Sequence, residues 1–163
     1  MSRLSEALDQ IDFTRRYILE RLDVPFSQWF TVTPGGVSHI AWQVGHMAIA
    51  EYRLCLARLR PRTAADEELM PDAFLAMFAR ESLPPEVTGF TPEEIHKAFN
   101  AVHARVMEEL PGYPDADLDL PPLIPHDLFT TRIAGLRYAP LHEMIHCGQL
   151  AMIRRLLGYK PVW

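Results

Sequence analysis

Two histidines near the carboxyl end of the chain, His142 and His146, stand four positions apart in the string His-Glu-Met-Ile-His. Residues at that spacing lie one above the other on a helix, so both imidazoles can reach one metal ion. Two ligands make a poor site, but a third histidine, His46, lies in an apolar segment, with Gly45 beside it to permit close approach. Since a buried imidazole needs a hydrogen bond or a metal, the pattern predicts either a divalent-metal site at these three histidines or three hydrogen-bonded core residues.

A metal held by three neutral imidazoles keeps coordination positions open for water or substrate, which is typical of a catalytic site. Such a metal lowers the pKa of a bound water for hydrolysis, or activates a thiol. The expected ion is Zn²⁺ or Ni²⁺, with Fe²⁺ and Mn²⁺ as alternatives, because affinity order alone does not select the metal in a cell. The alternative to an enzyme is a bundle whose metal serves stability or binding without turnover. That alternative needs a fourth protein ligand, and no acid or cysteine is obviously placed to supply one.

Glu143 is the candidate catalytic residue, since it lies between the two paired histidines. On a helix it stands about 100° around the axis from His142 and about 60° from His146, so it borders the metal face without being centred on it. It can act as a general base. It can equally be an acid of the first helical turn, favoured there by the helix dipole.

Two other kinds of metal site match the sequence less well. The string from His142 to His146 fits the HExxH motif of zinc peptidases, but no His, Asp or Glu follows it to supply a third ligand. A di-iron carboxylate bundle needs Glu-x-x-His on two helices and further glutamates on the others. Glu93 and His96 repeat that spacing, but too few acids fall at core positions.

The remaining histidines are expected to play no part in binding the metal. His39 precedes the apolar run around His46 and is expected to be a surface or capping residue. His96 and His103 are expected at the solvent side or the rim of the bundle. His126 lies in a proline-rich loop and can line a pocket.

Long stretches without proline must supply the helices that position these residues, because proline removes a backbone donor and clashes with the preceding turn. Four such stretches occur, at 1–24, 35–60, 93–110 and 141–160. In the last of them, one apolar stripe is expected to face the core: Leu141, Ile145, Gly148, Met152 and Leu156. No segment alternates with the period of a strand. The sequence predicts an all-α protein, a four-helix bundle with long connecting loops, in a single domain over 1–163.

Capping residues mark the predicted helix ends. Ser38, after two glycines, is the expected N-cap of the second helix. Thr91 and Glu94 form a capping box at the start of the third helix. Gly158 is expected to end the fourth helix, after two arginines that suit the negative end of its dipole.

The two longest connections, 61–90 and 111–139, are expected to wall a pocket, since long loops are often functional. The first is predicted to hold a short helix around 65–79, and the second is predicted to be extended. Aromatic residues in these connections suit an apolar pocket or packing over the end of the bundle, among them Phe74, Phe78, Phe90, Tyr113 and Phe129.

Composition excludes several classes of partner. The 163 residues carry 16 Lys and Arg against 21 Asp and Glu, a formal charge of −5, without a basic stripe that would neutralise nucleic-acid phosphates. No apolar run approaches the roughly 18 residues of a membrane span. The polar N-terminus lacks the apolar core of a secretory signal, and two cysteines are too few for a disulfide framework. A soluble, cytoplasmic protein is expected, with neither nucleic acid nor membrane as its partner.

Three segments together resemble the DinB-like superfamily: Trp42-Gln-Val-Gly-His46, His142-x3-His146-Cys-Gly148-Gln149 and Arg154-Arg155-Leu-Leu-Gly158. That superfamily includes YfiT-like metalloenzymes and transferases that use the thiols bacillithiol or mycothiol. The resemblance implies a four-helix bundle, a divalent metal on the three histidines and a homodimer. It also implies the function, which is transfer of a low-molecular-weight thiol to an electrophilic small molecule such as an epoxide, a halide or a conjugated ketone. Hydrolysis by metal-activated water is the alternative reaction.

Overall fold

The computed structural model describes residues 2–84 and 89–161, and within these ranges it contains helices and no strand. The predicted all-α class is therefore confirmed. The described ranges contain six α-helices: Arg3–Leu19 (α1), Ile40–Tyr52 (α2), Ala64–Leu69 (α3), Asp72–Met77 (α4), Pro92–Glu109 (α5) and Arg132–Leu156 (α6). A π-helical turn, Arg53–Ala57, extends α2. Among the described residues, no helix combines the length and the apolar composition that crossing a bilayer requires.

The four long helices enclose one apolar core. Helix α2 packs against α5 and α6, and α1 packs against the same two helices. The core side chains of α1 and α5 recur at helical spacing, and burial of each contributes about 1.5–3 kcal/mol. These core positions are buried: Leu4, Leu8, Ile11, Ile18, Ile95, Phe99, Val102, Val106 and Leu110.

Local capping signals set the ends of α5 and α6 as expected. The backbone N–H of Glu94 donates to the Thr91 hydroxyl at 3.2 Å, and the Glu94 carboxylate accepts from the Thr91 N–H at 2.7 Å. Gly158 follows the end of α6 with a φ of 90°, a conformation that side chains disfavour. Both predictions are confirmed.

The predicted N-cap of α2 is wrong by one residue. The Nδ1 atom of His39, and not Ser38, accepts from the Trp42 N–H at 3.1 Å. The Ser38 hydroxyl instead accepts a hydrogen bond from the side-chain amide of Gln43 at 2.9 Å. From the sequence, His39 is expected to be a surface or a capping residue. It is a capping residue, but it is fully buried.

Helix α6 begins nine residues earlier than the predicted start at 141, because it continues through Pro140. A proline inside a helix costs about 3 kcal/mol. Burial of Ile133, Leu136 and Ala139 on the segment before it offsets that cost, and Thr131 caps the earlier start through its hydroxyl. The connection predicted as extended over 111–139 therefore ends in a helix.

The apolar stripe predicted to face the core from the fourth helix lies on its outer surface instead. Leu141, Ile145, Met152 and Leu156 are each more than half exposed. The buried face of this part of α6 includes charged and polar groups, so hydrophobicity does not mark it. It is formed by Glu143, His146, Cys147, Leu150, Ile153 and Arg154.

The first long connection holds two short helices, α3 and α4, and not the single helix predicted over 65–79. Pro71, which precedes α4, separates them. Arg60 fixes this connection to α5, since its guanidinium bonds both the fully buried Asp66 of α3 and Glu109 of α5. Positions 85–88 of the connection lie outside the described residues.

Candidate metal centre

Helices α2 and α6 bring three imidazoles to one point. The ring centroids lie 4.8 Å apart between His46 and His146, 5.4 Å between His46 and His142, and 4.6 Å between His142 and His146. Each ring offers one nitrogen, and these nitrogens all lie within 4.8 Å of one another. We call this group the three-histidine centre. The structure thus brings together the three residues that the sequence singled out as ligands.

Hydrogen bonds from outside the centre fix two of the rings. The Nδ1 atom of His46 lies 2.8 Å from the carbonyl oxygen of Phe78, and that of His146 lies 2.6 Å from the side-chain oxygen of Gln43. Both partners only accept, so both Nδ1 atoms donate and the Nε2 atoms carry the free lone pairs. The orientation of Gln43 is itself fixed, because its amide nitrogen donates to Ser38. This is the usual support of a histidine ligand.

His142 differs from the other two histidines, since its buried Nδ1 atom has no hydrogen-bond partner among the described residues. A buried polar atom left without a partner costs about 1–3 kcal/mol. The three rings, with two Nδ1 atoms bonded outward and one without a partner, fit the donor set of a divalent metal.

Two further residues, Trp42 and Gly45, help to position His46. The Trp42 indole stacks on the His46 ring at 4.8 Å with an interplanar angle of 7°, and its own N–H donates to Ser82 at 2.9 Å. Gly45 lets the Phe78 ring pack closely, because a Cβ atom at position 45 would lie 2.5 Å from that ring. The close approach expected at Gly45 therefore serves Phe78, whose carbonyl holds His46.

The electrostatics of the centre keep its imidazoles neutral. Burial lowers the pKa of His46 below its ordinary value. Burial, and then the neighbouring histidines, lower the pKa of His142 to about 4 and that of His146 to about 3. At neutral pH all three rings thus have a lone pair to offer, which metal binding requires.

Glu143 lies beside the centre in sequence but extends into the core, where its Oε1 atom accepts from Arg15 at 2.7 Å. Its Oε2 atom is buried without a hydrogen-bond partner among the described residues. Burial raises the pKa of Glu143 to about 7, although Arg15 opposes that change. The first-turn interpretation is wrong, because α6 begins at Arg132.

A buried charge network lies behind Glu143 and includes residues that the sequence reasoning missed. Arg15 of α1 bonds Glu143 of α6 and Glu51 of α2, donates to the Phe99 carbonyl at 2.5 Å and lies over the Phe99 ring. His103, expected at the solvent side or rim, lies 2.8 Å from Glu51 through its Nδ1 atom. Glu51 is the single acid within α2. Its position in an apolar helix is the one feature of the sequence from which this network could have been inferred.

A cavity of about 640 Å³ opens beside His46 and His142. We call it the side cavity. Both long connections contribute to its wall, as expected, through Arg80 and Glu81 from the first and His126 from the second. Three of the aromatic residues assigned to these connections, Phe74, Phe78 and Phe129, are instead buried in the core. For these three, packing over the bundle is the correct alternative, and the charged groups of the cavity wall were not foreseen.

The alternative metal chemistries gain no support from the geometry. Within the described residues, the one group of potential ligands close enough to hold an ion is the three-histidine centre, which does not include Glu93, His96 or Glu143. The His96 ring instead packs edge-on against Trp29.

The family model of the DinB superfamily matches residues 10–150, a range that contains the whole three-histidine centre. No curated protein matches the chain.

Proposed function

The chain belongs to the DinB superfamily, and on that premise we propose that it is a metal-dependent enzyme that acts on a small molecule at the three-histidine centre. One observation carries the proposal, namely that a centre of three neutral imidazoles adjoins, through His46 and His142, a cavity of about 640 Å³, a volume typical of small-molecule sites. A metal kept only for stability needs no such access. The alternative to an enzyme is a bundle that holds a metal for stability or binding, without turnover.

His46, His142 and His146 would hold the ion, with Zn²⁺ or Ni²⁺ as the first expectation and Fe²⁺ or Mn²⁺ as alternatives. When bound, a divalent ion supplies a Lewis acid with open positions that lowers the pKa of a coordinated water or thiol. The protein prepares the ligands for this role. Gln43 and the Phe78 carbonyl hold the tautomers of two rings, and Trp42 holds the plane of His46.

The reaction we propose is transfer of a low-molecular-weight thiol to an electrophilic small molecule, in the cytoplasm, where such thiols are kept reduced. Hydrolysis by activated water is the second candidate. The geometry favours thiol transfer over hydrolysis, because Glu143, the carboxylate nearest to the histidines in sequence, is bonded to Arg15 in the core. Thiol transfer needs no carboxylate base, since a thiol ionises more readily than water.

The predicted catalytic role of Glu143 has its own test. Arg15 occupies one carboxylate oxygen, so Oε2 is the atom left to take a proton. If Glu143 is a general base, Glu143→Gln lowers the kcat of the folded protein while its metal content stays close to that of the wild type. A residue that only joins α1 to α6 leaves the kcat of the folded protein unchanged and alters its stability alone.

The experiment for the proposed reaction follows loss of free thiol when metal-loaded protein meets a cysteine-containing thiol and an epoxide, an aryl halide or an enone. We expect turnover by the wild type and none by the variant with both His142→Ala and His146→Ala. That variant should lose the metal and keep its helical content by circular dichroism. Metal-loaded wild type that transfers no thiol but cleaves esters would make the protein a hydrolase. Complete unfolding of the variant would make the site structural.

A homodimer is part of the proposal, and the outer surfaces of α1 and α6 are its interface. Phe13, Leu141 and Met144 line a groove of about 350 Å³ there, and Ile145 is exposed next to them. A second copy of the chain can bury this face. We expect Ile145→Glu to convert the dimer to a monomer in light scattering, whereas Val37→Glu, at an exposed apolar residue outside the face, leaves it intact. A wild-type monomer would refute this part of the proposal.

A further inference from the structure

We propose that the side cavity binds the anionic end of its ligand, a carboxylate or phosphate group, through Arg53, Arg58 and Arg80. All three arginines line the cavity that His46 and His142 also line. The inference rests on the proposed function in one respect, since the ligand is taken to be the small molecule that reaches the three-histidine centre. It adds the chemical class of that molecule.

Among the described residues, these three arginines have none of the carboxylate partners that Arg15 and Arg60 have. In the part of the chain that the structure describes, Arg15 and Arg60 each bond two carboxylates, whereas Arg53, Arg58 and Arg80 form no ion pair. Burial, and then the charge of Arg53, lower the pKa of Arg58. Its Nε atom is buried without a hydrogen-bond partner among the described residues. An arginine fork at the wall of a cavity suits a planar or tetrahedral oxyanion.

A π-helical turn of the backbone brings Arg53 and Arg58 together. Five residues apart on an α-helix, they would lie about 140° apart around the axis, at 3.6 residues per turn. The π-helical turn Arg53–Ala57 instead follows an i to i+5 pattern, which aligns residues at that spacing. The Arg58 guanidinium accordingly reaches the carbonyl of Arg53 at 3.1 Å. Such turns occur frequently at functional sites, and this one directs two cations into one cavity.

The acids of the cavity do not neutralise this charge. Glu81 and Asp127 also line it, but both are exposed, whereas Arg53 and Arg58 are half-buried. Exposed carboxylates are solvated and screened by salt, while partly buried charges are screened much less. A positive interior therefore occurs in a chain whose formal charge is −5. An anionic ligand supplies the missing counter-charge and positions its other end at the histidines.

The test is calorimetric titration of metal-loaded protein with succinate and, separately, with inorganic phosphate. We expect the wild type to bind one of these anions. In the variant with both Arg53→Gln and Arg58→Gln, the affinity should fall by about tenfold or more, as for loss of charge-assisted hydrogen bonds. The control, Arg155→Gln, changes an exposed arginine at the far end of α6 and should bind like the wild type. Comparison of the two anions tells which oxyanion the cavity prefers.

Two measurements keep the result interpretable. Circular dichroism verifies folding, and Arg80→Gln, at an exposed position, provides a variant that cannot unfold the core and should also weaken binding. Equal affinity in the wild type and in all the cavity variants would overturn the inference, as would the absence of binding to the wild type at millimolar anion.

Metal content of the same samples separates this inference from the proposed function. If His46→Ala lacks metal but binds the anion while the arginine variants do not, the cavity acts as an anion site independently of any metal. If the wild type holds metal and no variant of the arginines alters anion binding, the metal alone recruits the anion. The second outcome refutes the inference and leaves the proposed function standing.

Discussion

Arg15 and Arg60 each lie between two carboxylates, whereas Arg53 and Arg58, at the end of the helix that carries His46, have none among the described residues. The first pair joins elements of the fold. Arg15 links α1 to α2 and α6, and Arg60 links α3 to α5. The second pair faces a cavity. Arg15 and Arg60, which join elements of the fold, are thus neutralised within the chain, whereas Arg53 and Arg58 lie where a ligand can supply the counter-charge.

Substitution of Arg15 should have the largest effect on stability. Loss of one partner of a buried ion pair costs about 3–5 kcal/mol, because the remaining charge stays buried. Arg15→Met leaves both Glu51 and Glu143 without their counter-charge. We expect the free energy of unfolding in urea to fall by that amount, while Arg155→Met, at an exposed position, changes it by less than about 0.5 kcal/mol. Equal losses in the two variants would remove the distinction between neutralised and free arginines.

Asp66→Asn should have a smaller effect, about 1–3 kcal/mol, because Arg60 keeps its bond to Glu109. Burial acts to raise the pKa of Asp66, but hydrogen bonds from Arg60 and Thr63 outweigh it and hold the pKa below its ordinary value of 3.8. The depressed pKa of the folded state stabilises the protein above the unfolded pKa, and this contribution is lost as pH falls through the folded pKa. The stability difference between wild type and variant should therefore be constant from about pH 5 to 7 and shrink below about pH 4. A difference that grows on acidification contradicts the assignment.

Arg58→Gln should have the smallest effect on stability. The substitution removes a partly buried cation that has no ion-pair partner among the described residues, so we expect the free energy of unfolding to stay within about 0.5 kcal/mol of the wild type. Urea unfolding beside Arg15→Met measures this contrast directly. A loss of more than about 2 kcal/mol would mean that Arg58 holds the fold and is not reserved for a ligand.

Features of the fold set by neighbours in sequence were predictable. Thr91 and Glu94 cap α5 through each other, and the buried positions from Ile95 to Val106 follow from helical periodicity alone. The fourth helix was harder, because its inner face carries Glu143 and His146 while Leu141 and its apolar neighbours lie outside. Hydrophobic periodicity thus indicated the wrong face of the helix that carries most of the site.

The support of the site could not be predicted from spacing. Gln43 meets His146 across 103 positions, and the Phe78 carbonyl meets His46 across 32. Such contacts depend on how the helices pack. The arginine pair depends on a π-helical turn that apolar periodicity does not encode. The identity of the three histidines followed from their types and spacing, whereas their partners and the cavity required the three-dimensional structure.

Elemental analysis of the purified protein tests the central claim most directly. The account predicts about one divalent ion per chain in the wild type, lost in His46→Ala and kept in His126→Ala, which changes a histidine of the cavity wall outside the three-histidine centre. A wild type that holds no metal, and takes up none when incubated with Zn²⁺, Ni²⁺ and Mn²⁺, would contradict the account and leave three core histidines without a catalytic role.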